Sequence, residues 1–265
     1  MTVTHTDPVG YGLNFVDQDD FPLNPYIGQR LTLKWHGEIK CQHCGRASKK
    51  SFSQGYCYPC SQRLAQCDLC VMSPERCHYD KGTCREPAWG EEFCMQSHIV
   101  YLANSSGIKV GITRPSQLPT RWLDQGAVQA LPIMRVASRQ LSGFVEVIYK
   151  AHVSDKTHWQ RMLKSSGEPL DLVALRDDLY PLVQTEIEAL QAIHGLNAVM
   201  PILDVEPLAI NYPVQQYPEK VKSMNLEKTP EVSGVLQGIK GQYLIFDTGV
   251  INLRKYTAYD IEVSA

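Results

Sequence analysis

The chain has 265 residues, 43% hydrophobic and 20% charged, with a formal net charge of −2. That length is enough for a buried core and two or three modules, since domains typically run about 100–200 residues. No apolar run reaches the roughly 18 residues of a membrane span, and the opening Met1-Thr2-Val3-Thr4-His5 lacks the charged and apolar regions of a secretory leader, so a cytoplasmic protein without membrane-spanning helices is expected.

Residues 1–38 are expected to form an N-terminal β segment. The stretch is acidic and punctuated by Pro8, Pro22 and Pro25, and only Gln29–Trp35 alternates apolar and polar side chains as a half-buried strand does.

All nine cysteines fall between Cys41 and Cys94. Clustered cysteines without a secretory leader point to metal rather than to disulfides, which sets residues 39–98 apart as a zinc-binding module. Cys41, Cys44, Cys57 and Cys60 form two C-x2-C knuckles. Each knuckle aims two thiolates at one centre, and two knuckles supply the four tetrahedral ligands of a structural zinc. A zinc ribbon or treble clef follows from that spacing, with His43 a bystander and Gly45 and Gly55 as turn residues. A second cluster holds Cys67, Cys70, Cys77, His78, Cys84, Cys94 and His98. It has more ligands than one zinc needs, and spacing alone does not choose among them, although Cys94-x3-His98 would share one face of a helical turn. Two structural zinc ions are expected in all. The polar stretch Gly82–Glu91 reads as an ordered loop.

Residues 99–165 combine a hairpin with a local basic excess. Ile99–Ala103 and Ile108–Thr113 are short β-branched runs joined by a Ser/Gly turn. Nine Lys and Arg against three acids make this segment +6, whereas residues 166–265 carry −7. Such an excess suits a phosphate-contacting face. A short helix beginning near Ser116 or Gln117 and ending at Gly126 would carry Arg121, a third strand would cover Ala130–Ala137, and a helix from Gly143 to Lys150 would carry Glu146.

Residues 166–200 read as helical. Asp155 or Thr157 can start a preceding helix through Trp159, Met162 and Leu163; Asp171 can cap the next. Pro181 is expected to split the pattern into Leu172–Leu179 and Leu182–His194, with Gly195 as the stop. From 201 to 265 the texture is β, and a small barrel-like module is expected, to which the strands before Cys41 can contribute. Gly238–Gln242 lacks the spacing of a phosphate loop. The fold class is therefore α+β: a Cys-rich zinc module, a small antiparallel sheet with helices, and a barrel-like C-terminal module.

The hairpin and its two helices resemble the GIY-YIG nuclease superfamily. Val100-Tyr101 stands at the first motif, Lys109-Val110-Gly111 at the second with Lys in place of Tyr, and Arg121 and Glu146 match the helix Arg and the metal-binding Glu. The wider chain resembles a bacterial family of unknown function that joins a Cys-rich segment to such a core, through Gly82-Thr83-Cys84-Arg85, Lys109–Thr113 and Thr120–Ala127. That resemblance favours Cys70, Cys77, Cys94 and His98 for the second zinc. It also implies a metal-dependent endonuclease acting on DNA or RNA. In that scheme Glu146 holds one Mg²⁺, Tyr101 deprotonates water directly or through Lys109, and Arg121 with Arg114 neutralises charge on the scissile phosphate. The competing readings are a nucleic-acid-binding module that does not cleave, and a protein–protein scaffold.

Overall fold

The computed structural model describes residues 1–16, 19–153 and 158–265, which form three antiparallel sheets and seven α-helices, besides short 3-10 turns. The proposed helix starts at Asp155 and Thr157 lie outside the described residues.

Strands β1 (Thr2–Thr4), β2 (Gly10–Leu13) and β3 (Phe21–Pro22) make a small sheet, and β4 (Arg30–Ile39) leads into the cysteines. The Cys-rich segment contains three short helices, α1 (Tyr58–Arg63), α2 (Leu69–Met72) and α3 (Pro87–Phe93). The expected loop over Gly82–Glu91 is thus helical from Pro87, where proline's fixed φ and missing N–H suit a first turn.

The hairpin forms as expected from β5 (His98–Asn104) and β6 (Ile108–Thr113), with Tyr101 opposite Gly111 and Ala103 opposite Lys109. Helix α4 (Thr120–Asp124) follows a separate turn at Pro115–Gln117, so one expected helix is two pieces with Pro119 between them. Strand β7 (Gln129–Val136) pairs with β5. Helix α5 (Arg139–Lys150) starts a turn earlier than expected, because the Ser138 hydroxyl accepts from Leu141 N at 3.3 Å and caps it. After α6 (Trp159–Met162), α7 (Leu172–His194) runs unbroken through Pro181. The expected split does not occur: the proline is exposed, while Leu179, Val183 and Ile187 on either side are buried in one core and hold the axis continuous. Asp171 caps α7 through Ala174 N at 2.9 Å and Gly195 ends it.

Strands β8 (Val199–Pro201) and β9 (Leu208–Ala209) extend the hairpin sheet against β7. The remaining strands are β10 (Glu231–Lys240), β11 (Tyr243–Phe246), β12 (Gly249–Asn252) and β13 (Tyr259–Ser264). They build a second five-stranded sheet in the order β12-β11-β10-β4-β13, so the strand before Cys41 does complete the C-terminal sheet. The expected barrel is corrected to an open sheet, since closure requires the two end strands to pair. Here the free side of β12 is taken instead by Lys222–Met224, through Met224 N to Val250 O and Val250 N to Lys222 O, both at 2.8 Å. No closed barrel forms among the described residues.

Strand β5 is buried along its whole length, and its period-2 alternation divides two cores. Ile99, Tyr101 and Ala103 join Leu31, Leu33, Leu236, Ile239 and Leu244 of the second sheet. Val100 and Leu102 face Leu141, Val145 and Tyr149 of α5 with Val183 and Ile187 of α7. Each fully buried Val or Leu contributes about 2 kcal/mol relative to exposure, so β5 is anchored on both faces.

A lysine lies deep inside this packing. Lys240 is fully buried; its Nζ donates to Ser165 O at 2.8 Å and lies 5.6 and 5.5 Å from the ring centres of Tyr212 and Tyr217. Burial pushes its pKa down to about 8. Between about pH 8 and the ordinary lysine value near about 10.4, the unfolded chain carries the proton and the folded chain does not, so stability rises with pH across that window. Above about pH 10 the buried phenols of Tyr11, Tyr101 and Tyr212, all raised, keep protons that the unfolded chain has lost, and stability falls. Urea midpoints from pH 7 to 11 (a sweep chosen around these values) are expected to lose the rise between pH 8 and 10 in Lys240→Met; an unchanged slope would place the charge elsewhere.

Candidate metal centre and cleft

The first two knuckles converge. Strand β4 delivers Cys41, and Gly45 N returns to Cys41 O at 2.8 Å, a turn in which Gly45 takes φ +68°. Gln42 N bonds Gly55 O at 2.8 Å and thereby brings up the second knuckle, in which Cys57 precedes α1 and Cys60 lies on it. All four sulfurs lie within 4.8 Å of one another, and Cys44 and Cys57 are 3.7 Å apart. Burial works to raise the Cys41 thiol, but backbone N–H groups of Cys57, Cys44 and His43 overcome it and bring it down to about 6. Burial among the other thiols pushes Cys60 up to about 12. Four soft donors at that spacing fit a tetrahedral zinc ion without rearrangement of the backbone. His43 stands aside, exposed and 3.0 Å from Arg63.

The second cluster is arranged differently. Cys70, Cys77, Cys84 and Cys94 line one cavity of ≈ 20 Å³ together with Asp68 and His78. Cys94 closes the end of α3 and His98 opens β5, so the two do not share a helical turn as expected. His98 is fully buried with its Nδ1 2.7 Å from Gln96 O, and burial with the nearby Arg139 and Arg114 lowers its pKa to about 4.

The residues singled out on the hairpin and its helices are only partly brought together. Tyr101 is fully buried, and its hydroxyl donates to Gln125 Oε1 at 3.0 Å. Its ring lies across Gly111, where an added Cβ would sit 2.6 Å from the ring and hydroxyl, so this position of β6 needs glycine. Burial raises the Tyr101 phenol, Arg121 and Gln125 pull it down, and the Glu146 carboxylate adds to the rise. Glu146 lies 3.3 Å from Lys150 one turn along α5. Arg114 stacks on Phe93 at 4.8 Å and so faces α3 rather than the tyrosine. Lys109 is on the Tyr101 face of the sheet, two positions along the strand from Gly111.

A cleft of ≈ 200 Å³ opens beside these groups, between the β5–β6 turn, α4, α6 and the β11–β12 hairpin. Lys109, Gln125, Asp124, Trp159, Tyr243 and Arg254 line it. Trp159, 37% exposed, stacks on Tyr243 with ring centres 5.4 Å apart and planes 4° off parallel. Arg254 stands within electrostatic reach of Arg121 and Asp124. Burial raises the Asp124 carboxyl, opposed by the hydrogen bond from Gln242 and by Arg254 and Arg121. The sequence reading missed Gln125, Trp159, Tyr243 and Arg254 as partners. Gln125 sits in the Thr120–Ala127 block that was singled out, whereas the other three come from distant strands and helices and leave no local signal.

Fold and centre together define a mixed α+β protein with several antiparallel sheets and a tetracysteine cluster that can hold a zinc ion. The chain belongs to a family described as proteins of unknown function (DUF2797), whose pattern matches residues 28–261. No curated protein and no solved structure matches it. Among the described residues, no helix is long and apolar enough to cross a membrane.

Proposed function

We propose that this protein binds single-stranded nucleic acid in the cleft between the hairpin and the C-terminal sheet, with a GIY-YIG-like core that positions the strand and does not cut it. The observation that carries this reading is the Trp159–Tyr243 stack facing a cleft that also holds Lys109 and Arg254. An exposed ring beside cations is the combination by which proteins hold unpaired bases and their phosphates, each stacked base being worth about 1–3 kcal/mol. Arg121, next to Arg254 and Tyr101, extends the positive field toward the hairpin.

Two features argue against cleavage. Tyr101 is out of reach of water, hydrogen-bonded to Gln125 and raised in pKa, which is the reverse of what a general base needs. Glu146 is ion-paired with Lys150 at 3.3 Å, which competes with a cation for its carboxylate. The zinc cluster acts in this reading as a structural staple.

Labelled single- and double-stranded DNA and RNA, titrated with protein at two salt concentrations, test the proposal. Affinity for single strands should fall steeply with salt, and Trp159→Ala should weaken it about tenfold or more. No salt-sensitive binding, or binding indifferent to Trp159→Ala, would overturn it. Strand cleavage that needs Mg²⁺ or Mn²⁺ and disappears in Glu146→Ala would replace it with the nuclease reading.

A further inference from the structure

Beyond the tetracysteine cluster, four thiols from four separate pieces of chain face one small space. Cys70 lies on α2, Cys77 follows the turn Pro74–Arg76, Cys84 precedes α3, and Cys94 closes it. The ≈ 20 Å³ they enclose is about the room a single water or ion occupies. Among the described residues these four do not share the 4.8 Å mutual spacing of the first cluster, so a metal here would need their side chains to turn inward.

Two other ligand sets compete. Asp68, Cys70 and His78 have ligand atoms mutually within 4.8 Å. Asp68 is nevertheless committed, 2.6 Å from Arg85 and accepting from Cys70 N at 3.3 Å, while His78 Nδ1 lies 2.8 Å from Thr83 Oγ1. That trio is a hydrogen-bonded network holding the Cys70 turn. His98, the alternative fourth ligand, has a buried Nε2 with no hydrogen-bond partner, but it does not line the cavity, whereas Cys84 does.

An independent sign comes from Arg139. Its Nη2 donates to Val71 O at 2.6 Å, but its Nε is buried with no hydrogen-bond partner, and its nearest opposite charges would be the thiolates of Cys94 and Cys70. A half-buried guanidinium whose Nε has no acceptor is costly. A zinc ion held by four thiolates carries a net negative charge and would supply an anion there.

We propose that Cys70, Cys77, Cys84 and Cys94 bind a second structural zinc ion, with Arg139 beside it balancing its charge and His98 outside the coordination sphere. Zinc measured on the full chain after exhaustive dialysis should come to about two per chain. Cys84→Ser should reduce this to one, and His98→Gln should leave it at two. Because Cys84→Ser can also disturb folding, cobalt substitution of the unaltered chain gives a second readout. Four thiolates at each centre predict equal sulfur-to-cobalt charge-transfer intensity from the two sites. A single zinc in the unaltered chain, loss of one zinc in His98→Gln, or a second cobalt site weaker in charge transfer than the first would each overturn the assignment.

Discussion

Replacing Cys41 or Cys57 by serine is expected to expel the first zinc and unfold the stretch from Lys40 to Leu64. The buried core of that stretch consists of Cys41, Cys57, Cys60 and Leu64, so three of its four members are the ligands themselves. Without metal, Leu64 with half-buried Tyr56 is too little apolar surface to offset about 1–2 kcal/mol of backbone entropy per ordered residue. Structural zinc contributes an apparent ~10–16 kcal/mol in small isolated domains, which matches or exceeds the ~5–15 kcal/mol stability of a whole domain. Hydrogen exchange should therefore show loss of protection at Tyr56, Ser61 and Leu64, whose amides bond Phe52 O, Cys57 O and Cys60 O. Protection should persist in β5, which is anchored in two separate cores. Full protection of the knuckles in a zinc-free variant would show that packing alone suffices.

Gly143→Ala is expected to destabilise the protein by about 1–3 kcal/mol through overpacking, lowering the melting temperature by several degrees. At an ordinary helix position the same change stabilises by about 1 kcal/mol, so the sign is the test. On α5 an added methyl would run into the backbone N of Glu75 and come within 2.9 Å of the Pro74 carbonyl carbon, and neither can give way as a side chain could. This contact is where the Cys-rich segment docks on the hairpin unit. The docking is completed by Arg139 N to Cys94 O at 2.8 Å and Gln140 Nε2 to Cys77 O at 3.1 Å. A raised melting temperature in Gly143→Ala would mean that the segment is free to shift.

Elements whose cause is local were legible from the residues. The knuckle spacing, the Asp171 cap, the Gly195 stop and the alternation of β5 and β6 each depend on residues within a few positions of one another, so the pattern carries the answer. Pro181 misled because a local rule met a tertiary exception: burial on both sides of the proline outweighs one missing hydrogen bond. Cys94 and His98 misled for the related reason that a spacing of four is informative only if the chain there is one helix.

The amino-acid sequence by itself determined the tetracysteine cluster, the β5–β6 hairpin, and the helical and β-rich halves, because short-range periodicity and ligand spacing dictate them. Only the tertiary structure decided that the C-terminal sheet stays open, with β4 between β10 and β13. It also decided that Tyr101 is sealed against Gln125, that Cys84 rather than His98 faces the second cavity, and that Trp159, Tyr243 and Arg254 meet across the cleft. Those outcomes depend on which distant surfaces exclude water from one another, and no local pattern encodes such a choice.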